Sequence, residues 1–194
     1  MTKNALKIRK ATRKDRDTIE VLWEKVIRDA FSKEGIEEHH STADELAFKM
    51  RQFDDACDKA QAHYFLAFDG DKPIGTIAYG TPPNKGILRR THNALADTME
   101  IGSLYIDPAV QKQSYGKTLL IFILETLLEK EVETVCFDSI IETSKHIWSR
   151  LFGEPKYKIP AKNHDFTHMI WVVDVATALE NLKRVTRIDP PATD

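Results

Sequence analysis

The sequence predicts an α/β protein with a mixed, mostly antiparallel central sheet flanked by helices. Three observations carry this. Runs of strand-like and helix-like spacing follow one another as strand, two helices, three strands, helix, strand, helix, and one or two further strands. The second and third strand runs are joined by Asp69-Gly70-Asp71-Lys72, a hairpin connection that makes them antiparallel neighbours. The helix that ends near Lys130 carries Ile121, Phe122, Leu124, Leu127 and Leu128, apolar on most sides, as a helix pressed against a sheet must be.

Taken in order, Leu6 to Ala11 alternates apolar and basic residues and reads as a short strand. Arg16 to Phe31 is an amphipathic helix whose stripe is Ile19, Leu22, Trp23, Val26, Ile27 and Ala30. A second helix runs from about Ala43 to Cys57, with Thr42 and Glu45 as its capping box. His39 and His40 precede it, but no third ligand stands at a metal-binding spacing, so no metal is expected. Strands follow at His63–Phe68 and Pro73–Tyr79. The polar stretch from Gly80 to Asp97 is too long for a tight hairpin and reads as a surface loop or part of a binding site. Glu100 to Ile106 is the next strand. After the long apolar helix come a strand at Thr134–Ile140, a helix at Thr143–Phe152 stopped by Gly153-Glu154-Pro155, an edge strand at Tyr157–Ile159 and a final strand at His168–Val175.

The chain has 194 residues, 42% of them apolar and 30% charged. That length suits one domain, taken as residues 1–176, with 177–194 as an extension that is partly helical or disordered. A net charge of −2 argues against a nucleic-acid partner, since phosphate-backbone binding leans on basic surface. No stretch reaches the roughly 20 apolar residues of a membrane span, and Met1–Ala5 lacks the apolar run of a signal peptide. Cys57 and Cys136 stand far apart and read as small buried hydrophobes in a reducing cytoplasm. An exposed edge strand or the C-terminal segment offers a surface for a homodimer.

The most informative stretch joins the strand at Glu100 to the long helix. Leu104-Tyr105-Ile106-Asp107-Pro108 leads into Gln111-Lys112-Gln113-Ser114-Tyr115-Gly116-Lys117, and that loop runs straight into the helix N-terminus. Such a junction gathers backbone N–H groups and suits a phosphate or pyrophosphate. In this lead-in, in the Gln-x-x-Ser-x-Gly loop and in element order, residues Ala5 to Val175 resemble the GCN5-related N-acetyltransferases. That family carries a Gln/Arg-x-x-Gly-x-Gly/Ala loop between its fourth strand and third helix; here Gln111 and Gly116 match, and Ser114 replaces the middle glycine.

The resemblance implies the acyl-CoA N-acyltransferase (GNAT) fold, acetyl-CoA as the acyl donor and a small-molecule amine as acceptor. It implies that Leu104, Tyr105 and Ile106 meet the pantetheine arm. It places the pyrophosphate at Gln111, Lys112, Gln113, Ser114, Tyr115, Gly116 and Lys117. An amine with a lysine-like pKa near 10.4 must lose a proton before it attacks. Glu100 is the first candidate base, with Asp138 and Glu142 behind it. In the family's late helix a tyrosine often protonates the leaving thiolate; Trp148 stands at that position, and an indole N–H is no proton donor in this pH range. Either Tyr105 or His146 serves as the acid, or the thiolate leaves without a dedicated one, since an ordinary thiol has a pKa near 8.5. The Trp148 variant is locally similar to fungal acetyltransferases of cyclic imino acids. The resemblance also places Trp23 and Phe31 along the acceptor wall. Lys85, Arg89 and Arg90 suggest a carboxylate-bearing acceptor, hence an amino acid or related zwitterion, attacked directly in a ternary complex. The alternatives are acetylation of a protein or peptide amine and a non-catalytic CoA-binding module. A P-loop protein of another fold is disfavoured by the loop's late place in the chain.

Overall fold

A computed structural model describes residues 6–36, 41–59, 62–81, 83–160 and 166–188. His39 and His40 lie outside these residues. The strands are β1 (Lys7–Lys10), β2 (Ala62–Asp69), β3 (Lys72–Gly80), β4 (Met99–Ile106), β5 (Thr134–Ser139), β6 (Tyr157–Pro160) and β7 (Thr167–Asp174). The helices are α1 (Arg16–Glu34), α2 (Thr42–Lys59), α3 (Lys85–Arg90), α4 (Tyr115–Glu129), α5 (Glu142–Phe152) and α6 (Val175–Ile188). The sheet order is β1-β2-β3-β4-β5-β7-β6, with β1–β2, β2–β3, β5–β7 and β7–β6 antiparallel and β4–β5 parallel. The mixed, mostly antiparallel sheet expected from the sequence is present. The chain divides into two compact units, Met1–Thr81 with Ile101–Leu119 and Pro82–Glu100 with Leu120–Asp194.

In the first unit, α1 and α2 pack together, α1 against β3 and α2 against β2. The α1 stripe buries Ile19, Leu22, Trp23, Val26, Ile27 and Phe31. Trp23 and Phe31, expected along an acceptor wall, are buried in the core of this unit. The Trp23 ring stands 5.8 Å from Tyr64, 6.3 Å from Phe53 and 5.6 Å from Tyr105. The hairpin turns at Gly70, whose φ of +60° suits glycine, and one extra residue in β3 at Ile74 shifts the register. The α2 cap differs from the expected one. Ser41, not Thr42, stands at the N-cap, its hydroxyl accepting from the amides of Ala43 and Asp44.

Ahead of α1, a 3-10 turn at Arg13–Asp15 ties it to β1. The buried Asp15 carboxylate accepts two bonds from Arg9, at 2.6 and 2.9 Å, and others from the Thr12 amide and hydroxyl. Arg9 first, then Thr12, holds this carboxyl down to about 2 against the opposing effect of burial. A depressed carboxylate stabilises the fold above its unfolded pKa and loses that contribution as pH falls through the folded value. Asp15→Asn is expected to cost about 2 kcal/mol at pH 7 and to flatten the acid loss of stability between roughly pH 4 and 2. Urea titrations across that range check it.

The second unit is built on β5, β7 and β6. One face carries Phe137 and Trp171, stacked at 5.8 Å, with Trp148 and Phe152 of α5 against Phe137. The other carries Cys136 and Ile170, covered by Ile87 and Leu95, with Tyr157, Ile159 and Val172 packed alongside. The tail expected to be partly helical is α6, whose Val175, Ala178, Leu179 and Leu182 recur at helical spacing and are buried.

The polar stretch Gly80–Asp97 is not a plain loop. Asn84 caps α3 by accepting from the amides of Gly86 and Ile87, and hydrogen-bonded turns continue to Thr98. Ile87 and Leu95 anchor it in the core. Of the two cysteines, Cys136 is buried, and its desolvation together with the Glu100 and Asp138 carboxylates pushes the thiol up to about 12. Cys57 is exposed, contrary to the buried role expected of it.

Candidate active site

The site residues in the first unit begin with an irregular strand. Within β4, Ser103 has a φ of +50°, a conformation foreign to a regular strand. Its carbonyl accepts from the Thr76 hydroxyl at 2.9 Å, and that hydroxyl accepts from Trp23 Nε1 at 2.8 Å. Thr76 and Trp23 are fully buried. This three-residue relay fixes the distortion just before Leu104, Tyr105 and Ile106. Sequence reasoning missed it, because the three residues come from three different elements.

Gly75 of β3 lets β4 approach closely. A Cβ there would lie 2.7 Å from Ile106 Cδ1 and 2.8 Å from the Tyr105 carbonyl oxygen. Beyond Ile106 the chain is clamped by Asp107, whose amide donates to Ile74 O and whose carboxylate accepts from the Ala109 amide and from Lys25 Nζ at 2.5 Å. Burial works to raise the Asp107 carboxyl. Lys25, the Ala109 amide and the charge of Lys72 outweigh it, and the carboxyl lies below its ordinary value.

The loop then turns on two left-handed residues, Lys112 at φ +63° and Ser114 at φ +66°. Gln111 Nε2 donates to Ile106 O at 3.1 Å and draws the loop onto the end of β4. A Cβ on Gly116 would lie 3.6 Å from Ile106 Cγ1, an ordinary packing distance. The first intrahelical bond of α4 runs from the Thr118 amide to Ser114 O, so the amides of 115–117 precede the i→i−4 ladder. Gln111 to Ser114 are exposed, whereas Tyr115 is buried with its hydroxyl on Asp69. A turn with left-handed residues that leads into a helix start can gather backbone N–H groups toward an anion. Ser114 thus adopts the conformation for which glycine is favoured.

The segment closes on Gly116-Lys117-Thr118, the triplet that ends a P-loop. Gln111 in place of the opening glycine sets it apart. So does the Thr118 hydroxyl, which donates back to Ser114 O at 3.2 Å. The structure therefore brings Leu104–Ile106 and Gln111–Lys117 together in one unit.

In the second unit, Glu100 is half-buried at the start of β4. Its carboxylate accepts from the Asn84 amide at 2.5 Å and from Asn84 Nδ2 at 2.7 Å. It anchors the cap of α3 as well as being the candidate base. Pairing of Glu100 with Cys136 places Asp138 farther along the same sheet face. Glu142 is exposed and bonded to the buried Lys145 at 2.6 Å, while His146 is exposed on α5. Trp148 stacks on Phe152 and packs edge-on against Phe137. Lys85 and Arg89 are exposed, but Arg90 turns inward to His168.

The model of the acetyltransferase (GNAT) family matches residues 22–150. Comparison with curated proteins finds no match. Among solved structures, the chain is similar to an acetyltransferase of the GNAT family from Desulfovibrio desulfuricans. That likeness has a TM-score of 0.67 and 16% identity over 88% of this chain and 99% of the other. It is similar to the PaiA N-acetyltransferase from Thermoplasma acidophilum in complex with coenzyme A, with a TM-score of 0.54 and 16% identity over 86% and 98%. It is also similar to the ribosomal-protein-S18-alanine N-acetyltransferase from Escherichia coli, with a TM-score of 0.57 and 13% identity over 88% and 94%. These likenesses concern the fold. Matched across two thirds of its length by the family model, the chain belongs to the GNAT acetyltransferase family.

Proposed function

We propose that the protein transfers the acetyl group of acetyl-CoA to the amine of a small molecule, an amino acid or related zwitterion, by direct attack in a ternary complex. The observation that carries this reading is the backbone of 111–117, where two left-handed residues lead an exposed loop into the start of α4. A relative of this fold has been solved with coenzyme A, which supports the choice of ligand. In this reading the loop amides hold the pyrophosphate, with Lys112 and Lys117 each adding about 0.3–1 kcal/mol. Leu104, Tyr105 and Ile106 hold the pantetheine arm. Acetyl-CoA, when bound, supplies an activated thioester.

Glu100 accepts the amine proton. Two bonds from Asn84 orient its carboxylate. Neutralising a lysine-like amine at pH 7 costs roughly 4–5 kcal/mol, which is why a positioned base matters. Tyr105 is the donor to the leaving thiolate.

The test is release of CoA thiol from acetyl-CoA across a panel of amines. Glu100→Gln is expected to lower kcat about a hundredfold or more. Asn84→Ala, which loosens the anchor and keeps the carboxylate, is expected to cost less than tenfold. Equal losses in the two variants would reduce Glu100 to an anchor of α3.

A further inference from the structure

One cation in the second unit is placed as a surface arginine is not. Arg90, in the last turn of α3, is half-buried, and among the described residues no carboxylate pairs with it. Its guanidinium folds back over the first turn of α3, so close that a Cβ on Gly86 would meet Arg90 Nη1 at 2.7 Å and Asn84 Oδ1 at 2.9 Å. The absence of a side chain at Gly86 leaves space for that fold.

On the far side, Arg90 Nη2 lies 2.7 Å from His168 Nε2. A guanidinium only donates, so Nε2 accepts and the imidazole proton sits on Nδ1. That Nδ1 is buried without a hydrogen-bond partner, and Asp138 Oδ2 stands 3.8 Å from it. Burial, with the charge of Arg89, pulls the Arg90 guanidinium below its ordinary value against the opposing effect of Asp138. A charge taken out of water and left without a contacting counter-ion is costly unless an anion completes it. One of five donors is committed to His168, and the planar fork matches a carboxylate.

The surroundings supply the opposite sign as well. Alternation along β5 and β7 puts Cys136, Asp138, His168 and Ile170 on the face that α3 covers through Ile87, and Glu100 joins that face by pairing with Cys136. A polar arc thus runs from Glu100 through Asn84 and past Gly86 to Arg90, His168 and Asp138. One cation flanked by two carboxylates is complementary to a zwitterion.

We propose that Arg90 receives the carboxylate of an amino-acid acceptor, with His168 as the residue that positions its guanidinium. The proposal rests on the acetyl-transfer reading and names the residues that recognise the carboxylate of its amino-acid acceptor. Asp138 and Glu100 then face the ammonium group, and binding orients the amine toward the base.

The experiment compares the standard amino acids with their carboxamides as acceptors, for the wild type, Arg90→Gln and Arg90→Lys, alongside acetyl-CoA affinity measured by calorimetry. Wild type is expected to prefer an acid over its amide by at least tenfold in kcat/KM. Arg90→Gln should lose that preference by raising KM for the acid about ten- to hundredfold, and Arg90→Lys should fall between, since it keeps the charge without the fork. Acetyl-CoA affinity within twofold of wild type shows that the variants are folded. Equal use of acids and amides by wild type, or an unchanged preference in Arg90→Gln, overturns the proposal. If acetyl-CoA is not bound, or no amine is acetylated, the acetyl-transfer reading fails by itself. The subsite is then judged by equilibrium dialysis against the same acids and amides. A preference for acids that Arg90→Gln abolishes sustains it, and no preference sinks it.

Discussion

Gly75→Ala is expected to lower unfolding free energy by about 2–4 kcal/mol, with a melting temperature roughly 10 °C below wild type. The added methyl would meet Ile106 Cδ1 at 2.7 Å and the Tyr105 carbonyl oxygen at 2.8 Å. Rotation of Ile106 relieves the first contact. The second is with backbone, so β4 itself must shift, and with it the Thr76–Ser103 bond and the clamp at Asp107. The same variant should weaken acetyl-CoA binding at least tenfold, because Leu104 to Ile106 move. A melting temperature within 2 °C of wild type would mean that β3 and β4 do not approach this closely in solution. Thermal unfolding followed by circular dichroism decides the point.

The second large effect is expected at Ser114. Its φ of +66° costs a residue with a side chain about 1 kcal/mol. Ser114→Gly should therefore raise stability by about 0.5–1 kcal/mol and leave the loop in place. Ser114→Pro should do the opposite, since proline is locked near φ −65° and has no N–H. The exposed loop must then refold, and acetyl-CoA affinity should fall about a hundredfold or more while helix and sheet content persists. The pair separates loop conformation from global stability. A proline variant that binds acetyl-CoA as wild type does would remove the loop from the cofactor site.

The elements that sequence revealed are those whose patterns are local. The α1 stripe from Ile19 to Phe31 and the Gly70 turn each declare themselves within a few residues. The loop was legible because Leu104–Pro108 and Gln111–Gly116 stand together, and Ser114 marked itself by replacing a glycine. The short α3 was hidden because six residues, half of them charged, hold one core anchor, Ile87, too few to show a period. Ser41 was overlooked as a cap because Thr42, beside it, is an equally good capping residue by type. What sequence could not show are pairings made by the fold. The Trp23–Thr76–Ser103 relay spans contacts 53 and 27 residues apart, and Arg90 meets His168 across 78. Each is built from residue types that are unremarked in a linear reading.

The central claim is that 111–117 binds the pyrophosphate of acetyl-CoA. Its most direct test is a calorimetric titration of the wild-type protein with acetyl-CoA and, separately, with S-acetylpantetheine, which keeps the thioester but lacks pyrophosphate and nucleotide. Saturable binding of one acetyl-CoA per chain is expected, with S-acetylpantetheine at least a hundredfold weaker. No binding of acetyl-CoA, or equal affinity for the two, would contradict the account.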